Sequence, residues 1–196
     1  DNLYINGIGT DDIDLSCLTS VLGALEIENS IANSIDLSGL QSVGDNVYIH
    51  QNDELVSIDL SSLETVGEHL NVTSNSELTT LTFDALQTVD GELNFSYNYE
   101  LLDLAFPSLS SVSGQLYFYD NDSITSLSFD SLTTVESSLY FYYNDGIEEL
   151  WTPALETIEG QVYFENNEDL QVISAPNLTT IDSTLYLYSN DSLDSL

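Results

Sequence analysis

The chain has 196 residues, 42% of them hydrophobic, with 34 Asp and Glu, no Lys and no Arg, so its formal net charge is -34. This hydrophobic fraction is too high for a compositionally disordered chain, and the length suffices for one sizeable core. Without a basic residue the chain cannot neutralise phosphates, which excludes nucleic acid as a partner, and anionic membrane surfaces repel it. No apolar run approaches the ~20 residues of a membrane span, so no membrane insertion is expected. The partners that remain are cations, uncharged sugars or copies of the chain itself.

The chain has one cysteine, Cys17, which excludes a scaffold of intrachain disulfides. Cys17 stands where Leu or Ile would pack, and we predict it to be a small buried apolar residue.

An asparagine recurs at a constant interval of 23 residues. The column consists of Asn52, Asn75, Asn98, Asn121, Asn144, Asn167 and Asn190. An unbroken period of this length is typical of a solenoid. We let each repeat begin five residues before its asparagine, so that repeats start near residues 47, 70, 93, 116, 139, 162 and 185. Two shorter repeats start near residues 3 and 25, and each is predicted to lack the residue at the asparagine position.

The apolar positions within a repeat indicate strands. In the repeat that starts at Leu116, apolar residues alternate at Leu116 and Phe118 and again at Leu127 and Phe129. This alternation is the period of a half-buried strand and does not fit a helical stripe. Each repeat is therefore one coil with two or three short strands, and stacked coils form a continuous core. The sequence predicts an all-β, single-domain solenoid over residues 1–196, with about eight and a half coils of 22–23 residues, the last incomplete.

The corners of the coil carry two further signals. The asparagine follows the first strand, where its amide can bond free backbone groups and the asparagines of adjacent coils, so we predict a structural asparagine ladder. Gly91, Gly114 and Gly160 each stand just before a first strand. Glycine there is typical of a turn that needs a positive φ.

The repeat unit resembles leucine-rich-repeat solenoids, and more closely the receptor L-domain type. The resemblance is carried by the stretch Leu104-Ala105-Phe106-Pro107-Ser108-Leu109-Ser110-Ser111-Val112-Ser113-Gly114-Gln115-Leu116-Tyr117-Phe118 and covers nearly the whole chain. The same form is found in fungal cell-wall proteins of this superfamily. The resemblance implies an extracellular, glycosylated β-solenoid at the cell surface.

Two outward positions of the first strand carry files of tyrosines. Position 2 holds Tyr4, Tyr48, Tyr117, Tyr140, Tyr163 and Tyr186, and position 4 holds Tyr119, Tyr142 and Tyr188. One interpretation is cross-strand pairing, at about 0.2–1 kcal/mol for each pair. The other is an aromatic contact face for another chain or for sugar rings. Its members would be Tyr117, Tyr119, Tyr140, Tyr142, Tyr163, Tyr186 and Tyr188.

Acidic residues recur at position 7 of the repeat. A bound Ca²⁺ would relieve the repulsion between Asp122, Asp145 and Glu168. No EF-hand loop or Gly-Gly-x-Gly-x-Asp repeat occurs, and a solvated acidic edge without metal or other cofactor is the preferred interpretation.

Five glycosylation sequons are present. Those at Asn121 and Asn190 belong to the ladder, which leaves Asn71, Asn94 and Asn177 as the candidate N-glycan sites.

No residue pattern indicates an enzyme. His50 and His69 are the only histidines and have no nucleophile pattern near them, and no Lys or Arg is available to stabilise an anion. We therefore predict no enzymatic activity.

The first hypothesis is an extracellular structural glycoprotein that self-assembles head-to-tail or laterally into a filament, wall or matrix, because neither end of the sequence shows a polar capping segment. The alternative is a module of a surface receptor or adhesin that binds glycans or a protein through the tyrosines.

Overall fold

The computed structural model describes residues 1–195, and Leu196, the last residue of the predicted solenoid, lies outside them. Within the described residues every regular element is a β-strand and no helix is present. All pairings between these strands are parallel, and each strand pairs with its counterpart in an adjacent coil. The predicted all-β solenoid is therefore confirmed. We number the coils 1 to 9 from the N-terminus.

The first strands of the nine coils form one nine-stranded parallel sheet. They span Leu3–Asn6, Leu25–Glu28, Val47–His50, Leu70–Thr73, Leu93–Ser96, Leu116–Tyr119, Leu139–Tyr142, Val162–Glu165 and Leu185–Tyr188. Each begins at the residue at which the sequence places the start of a repeat.

The second and third strands of coils 1 to 8 form the other sides of the solenoid. The second strands make two four-stranded sheets: Asp12–Asp14, Ser34–Asp36, Ser57–Asp59 and Thr80–Thr82 in one, and Leu104–Ala105, Ser126–Ser128, Glu149–Trp151 and Val172–Ser174 in the other. The third strands make an eight-stranded sheet of Ser20–Val21, Ser42–Val43, Thr65–Val66, Thr88–Val89, Ser111–Val112, Thr134–Val135, Thr157–Ile158 and Thr180–Ile181.

The core is built from columns of like side chains. Phe95, Phe118, Phe141 and Phe164 stack on one another, with ring centroids 5.3, 4.9 and 5.1 Å apart along the column. A second column, Phe83, Phe106 and Phe129, has spacings of 5.4 and 5.0 Å. The two columns meet edge to face, as in the Phe118–Phe129 pair at 6.2 Å. Because every coil has its apolar residues at the same positions, stacking buries them in one continuous core.

The predicted asparagine ladder is present, and each rung joins three coils. Asn121 Nδ2 donates to Phe95 O at 3.0 Å, to Tyr119 O at 3.3 Å and to Asn144 Oδ1 at 3.0 Å. Asn121 Oδ1 accepts the backbone N–H of Asn98 at 3.3 Å and its side-chain Nδ2 at 3.2 Å. The asparagines from Asn52 to Asn167 are at most 1% exposed, so these bonds satisfy polar groups that water does not reach.

The residue before each ladder position adopts a left-handed backbone conformation. These residues are Asn29, Gln51, Ser74, Tyr97, Asp120, Tyr143, Asn166 and Ser189, with φ between 49° and 59°. A left-handed non-glycine residue costs about 1–3 kcal/mol. Six ladder amides, those of Asn52, Asn75, Asn121, Asn144, Asn167 and Asn190, bond the carbonyl two residues before them. The ladder therefore holds the turn closed and offsets this cost.

The prediction that the short repeats lack a residue at the ladder position is wrong. In coil 2, Ser30 occupies that position and is 2% exposed. Its backbone N–H donates to Asn52 Oδ1 at 3.0 Å. The strand pairing places the missing residue after Ser30, because Glu28 aligns with His50 whereas Ser34 aligns with Ser57.

The corner glycines are explained by close packing between coils. Gly7 is the one glycine with a positive φ, so the prediction of positive φ at Gly91, Gly114 and Gly160 is wrong. A Cβ on Gly114 would approach the backbone carbon of Gly91 to 2.5 Å and the nitrogen of Glu92 to 2.6 Å. Glycine is required there because the corners of successive coils touch.

Cys17 is exposed, so the prediction that it is buried is wrong. It lies in a turn between Leu15 and Leu18, and these two leucines pack against the core. The turn is closed by a bond from the N–H of Leu18 to Leu15 O at 2.9 Å.

Candidate functional site

The outer surface of the nine-stranded sheet carries a continuous group of tyrosines. In-register pairing places Tyr117, Tyr140, Tyr163 and Tyr186 in one file, with ring centroids 5.9, 5.6 and 4.1 Å apart. Tyr142 joins this file from position 4, since its ring lies 5.8 Å from Tyr140 and 6.0 Å from Tyr163. The sheet therefore brings the two predicted files into ring-to-ring contact over four coils.

Two tyrosines that were not predicted from the sequence extend this surface around the corner. Tyr97 lies 5.0 Å from Tyr119, and Tyr143 lies 5.5 Å from Tyr119. Both precede a ladder asparagine and are left-handed, and they are 40% and 43% exposed. We call the whole group the tyrosine face. It consists of Tyr97, Tyr117, Tyr119, Tyr140, Tyr142, Tyr143, Tyr163 and Tyr186.

The remaining predicted tyrosines lie outside the tyrosine face. Tyr188 is exposed and stands in register with Glu165 rather than with an aromatic residue. Tyr48 stands in register with Glu26 and Asn71, and Tyr4 is paired with Glu26 at the first coil. The group of tyrosines predicted from the sequence is therefore larger at the corner and does not include Tyr188, and its role as a contact face stays a prediction.

The tyrosine face is uncharged at neutral pH and is bordered by carboxylates. Burial, together with the neighbouring Tyr140, Tyr163, Tyr117 and Glu165, raises the pKa of Tyr142 to about 12. Burial also raises the pKa of Tyr117. The ring hydroxyls thus keep their protons and can donate as well as accept hydrogen bonds.

We expect the free energy of unfolding to fall as the pH rises from about 10 to about 12. Unfolded tyrosines ionise near pH 10, whereas Tyr142 ionises near pH 12 and Tyr163, hydrogen-bonded to Tyr186, also has a raised pKa. The unfolded state therefore loses protons first, and stability that is fully present below pH 10 is lost through this window. Urea titrations between about pH 10 and pH 12 measure the free energy of unfolding. The tyrosinate absorbance of the native protein over the same pH range measures the ionisation of its tyrosines.

The matched variant for this prediction is Tyr142→Phe. It removes the hydroxyl with the largest pKa shift and should flatten the fall in stability. An equally steep fall in this variant would contradict the assignment to Tyr142.

The tyrosine face leads into a cleft beside the asparagine ladder. This tyrosine cleft is lined by Asp53, Ser74, Ser76, Tyr97 and Tyr99 and has a volume of about 320 Å³. Ser76 Oγ donates to Asp53 Oδ1 at 3.3 Å, and Tyr99 is 42% exposed. Burial, with the negative charge of Asp120, raises the pKa of Tyr99. The cleft thus combines two aromatic rings with one carboxylate and two hydroxyls.

The acidic column of position 7 does not gather into one group of ligands. Burial, with repulsion from Asp120 and Asp145, raises the pKa of Asp122. The backbone N–H of Glu168 donates to Asp145 Oδ1 at 3.4 Å. Among residues 1–195, the group of donors close enough to share one ion lies elsewhere and excludes Asp122, Asp145 and Glu168. The solvated acidic edge stays the preferred interpretation of this column, with calcium binding at these three residues as the alternative.

The three candidate glycosylation sites differ in exposure. Asn177 is exposed, and its Nδ2 donates to Pro153 O at 2.8 Å. Asn71 and Asn94 are half-buried in the nine-stranded sheet, and Asn94 Nδ2 donates to Glu92 Oε1 at 3.0 Å. Asn177 is therefore the most accessible of the three, and glycan attachment stays a prediction at each of them.

The tyrosines Tyr97, Tyr99 and Tyr143 were not predicted as site residues, for a structural reason. Strand alternation continued past position 4 would turn position 5 inward, but the left-handed residue there breaks the alternation. Tyr99 occupies position 7, which was interpreted as an acidic column. The available signal was the tyrosine at position 5 in two of the coils, directly before the asparagine.

Comparison with known proteins supports the resemblance stated from the repeat. Residues 87–176 match the family model described as Receptor L domain. This stretch contains the segment of residues 104–118 on which the resemblance rests, and the coils outside it repeat the same fold. No curated protein and no solved structure matches the chain. The part of the chain that the structure describes has no helix long and apolar enough to span a membrane.

Proposed function

We propose that this chain is a non-enzymatic extracellular recognition module of the receptor type, and that its tyrosine face binds a neutral glycan chain. Receptor L domains are typically extracellular parts of receptors, and residues 87–176 match that family. The observation that carries the proposal is the continuous tyrosine face, which extends over the outer surface of coils 5 to 9. Tyr97, Tyr143 and Tyr186 are at least 40% exposed and the other tyrosines of the face are half-buried. A partly exposed aromatic surface of this extent is typical of a contact site.

The chemistry of the face favours an extended and uncharged ligand. Tyrosine rings pack on the apolar faces of sugar rings, and their hydroxyls bond sugar hydroxyls. The surface extends along the stacking direction of coils 5 to 9 and continues around the corner at Tyr97 and Tyr143, and this length suits a polymer better than a compact small molecule. With no Lys or Arg and a net charge of -34, the chain repels sulfated or carboxylated polysaccharides.

The tyrosine cleft offers a second contact for the same ligand. Its volume of about 320 Å³ falls at the lower end of ordinary ligand sites. The Asp53 carboxylate accepts hydrogen bonds from sugar hydroxyls, and the rings of Tyr97 and Tyr99 flank the space. One sugar unit in the cleft and further units along the tyrosine face would fit this arrangement.

The cleft does not favour catalysis. Glycoside hydrolysis ordinarily needs two carboxyl groups, one on each side of the scissile bond. The tyrosine cleft is lined by a single carboxylate, that of Asp53. His69 lies at another corner of the coil and has a structural role there, because its Nδ1 accepts the backbone N–H of Glu92 at 2.8 Å.

Self-association through the same face is the competing hypothesis, and charge opposes it. Two copies would each carry a net charge of -34, and no basic residue is available to pair across an interface. Such copies repel at neutral pH and low salt, and the repulsion weakens as salt is added. A neutral glycan meets no such barrier.

We expect the purified protein to bind neutral polysaccharides and not sulfated ones, and Tyr140→Ser with Tyr142→Ser to weaken that binding at least about tenfold. The two substitutions remove the centre of the tyrosine face, where the rings of coils 6 to 8 meet. Binding is measured by affinity electrophoresis and calorimetry with soluble neutral glucans, xylan and heparin.

The control variant is Tyr4→Ser, which removes a tyrosine of the same sheet that lies outside the tyrosine face and is 61% exposed. It should bind as the wild type does. Sedimentation velocity at low and high salt tests the competing hypothesis. The proposal would be overturned in favour of self-association by two results together. The wild type would bind no glycan, and it would form dimers or larger assemblies that the double substitution dissociates.

A further inference from the structure

Two glutamates and a histidine meet on the outer surface of the nine-stranded sheet, near the opposite end from the tyrosine face. Glu26 and Glu28 belong to the first strand of coil 2, and His50 to the first strand of coil 3. Glu28 is the register partner of His50. Glu26, two residues before Glu28, projects from the same face of the sheet. The fold therefore gathers the three side chains even though they are separated in sequence.

The distances within this cluster suit a shared ion. His50 Nε2 lies 3.6 Å from Glu26 Oε1 and 3.8 Å from Glu28 Oε2. All three ligand atoms lie within 4.8 Å of one another. Ligand atoms bound tetrahedrally to Zn²⁺ at ~2.0–2.1 Å stand about 3.3 Å apart, so the two distances from His50 to the carboxylates lie within about half an ångström of that separation.

A neighbouring side chain orients one of the carboxylates. Asn6 Nδ2 donates to Glu28 Oε1, and Asn6 is the register partner of Glu28 in coil 1. This bond engages one oxygen of Glu28, while the other, Oε2, is the oxygen facing His50. Hydrogen bonds of this kind from outside the ligand set fix the orientation of metal-binding carboxylates.

The charge of the cluster favours a cation. Glu26 and Glu28 stand on one strand with side chains 30% and 26% exposed, and the sequence has no Lys or Arg to pair with them. The imidazole neutralises them only when it is protonated. A divalent metal can bind both carboxylates and the imidazole nitrogen together.

We propose that Glu26, Glu28 and His50 form a binding site for a divalent transition metal of the Zn²⁺ type. One imidazole nitrogen and two carboxylate oxygens are a ligand set that suits Zn²⁺, whereas Ca²⁺ and Mg²⁺ take oxygen ligands. Three protein ligands leave the remaining coordination position to water. The bound ion links coil 2 to coil 3 and stabilises the solenoid at that junction.

The test is a calorimetric titration of the chelator-treated protein with Zn²⁺. Excess Mg²⁺ is present throughout, so that it occupies the acidic side chains that bind cations without specificity. We expect one equivalent to bind, and the melting temperature to rise with added Zn²⁺. His50→Asn should weaken this binding well over about tenfold, and Asn6→Ala should weaken it by about tenfold through Glu28.

The matched control is His69→Asn, which removes the other histidine and should bind Zn²⁺ as the wild type does. His69 is exposed and contacts the backbone of Glu92. Circular dichroism verifies that both variants keep the fold. The proposal is overturned if the wild type takes up no equivalent of Zn²⁺ in Mg²⁺, or if His50→Asn binds it unchanged.

Discussion

Replacement of Asn121 by alanine should lower the free energy of unfolding by roughly 3–5 kcal/mol. The substitution leaves the buried N–H of Asn98 and the buried carbonyl of Phe95 without their side-chain partner. It also breaks the chain of amides, because Asn98 and Asn144 both bond Asn121. Each buried unsatisfied group costs about 1–3 kcal/mol. The left-handed Asp120 loses the bond that closes its turn, which adds to the loss.

Urea unfolding followed by circular dichroism measures this change. The control is Asn177→Ala, which removes one exposed hydrogen bond to Pro153 O and should cost under about 1 kcal/mol. A loss at Asn121 as small as that at Asn177 would contradict a structural role for the ladder. Because solenoid stability is shared between neighbouring coils, a broadened transition that begins near coil 6 would also agree with the expectation.

Replacement of Phe118 by alanine should lower the free energy of unfolding by about 3–5 kcal/mol. Phe118 is fully buried, and its ring lies between those of Phe95 and Phe141, at 5.3 and 4.9 Å. Alanine removes the ring and leaves a cavity in the column. The parallel coils cannot close that cavity, because their spacing is set by backbone hydrogen bonds above and below.

Phe118→Leu is the matched variant for this prediction. Leucine stands at the equivalent position of coil 9, as Leu187, in register with Phe164. It keeps most of the apolar volume and should cost about half as much as alanine or less. Chemical denaturation of both variants checks the ranking, and equal losses in the two would show that the column can relax around a cavity.

Most of the fold follows from the period of the asparagine. A constant spacing of 23 residues makes equivalent side chains face one another in adjacent coils, so the Asn98–Asn121–Asn144 ladder follows from the spacing alone. The apolar residues at positions 1 and 3, such as Leu116 and Phe118, follow strand alternation and are buried as predicted. These features depend only on local pattern and on stacking of identical units.

The candidate site was predicted only in part, since Tyr140 and Tyr142 were expected from the sequence but Tyr97 and Tyr143 were not. Whether position 5 points inward or outward depends on its φ, which is positive in a turn held by bonds to the next coil, such as that from the N–H of Tyr97 to Tyr119 O at 2.9 Å. The sequence around Tyr97 does not contain that information. Gly114 illustrates the same limit, because its need for glycine comes from the neighbouring corner at Gly91.

The amino-acid sequence by itself determined the coil, its repeat, the ladder and a surface with no positive charge except what histidine can supply. Only the tertiary structure decided which side chains of different coils become neighbours where the repeat is irregular. Glu28 faces His50 because the residues of coil 2 before Ser30 align with residues of coil 3 that stand 22 positions later in the sequence. After the missing residue, Ser34 aligns with Ser57. The physical reason is that register is set by backbone pairing between coils, which a local sequence pattern does not specify.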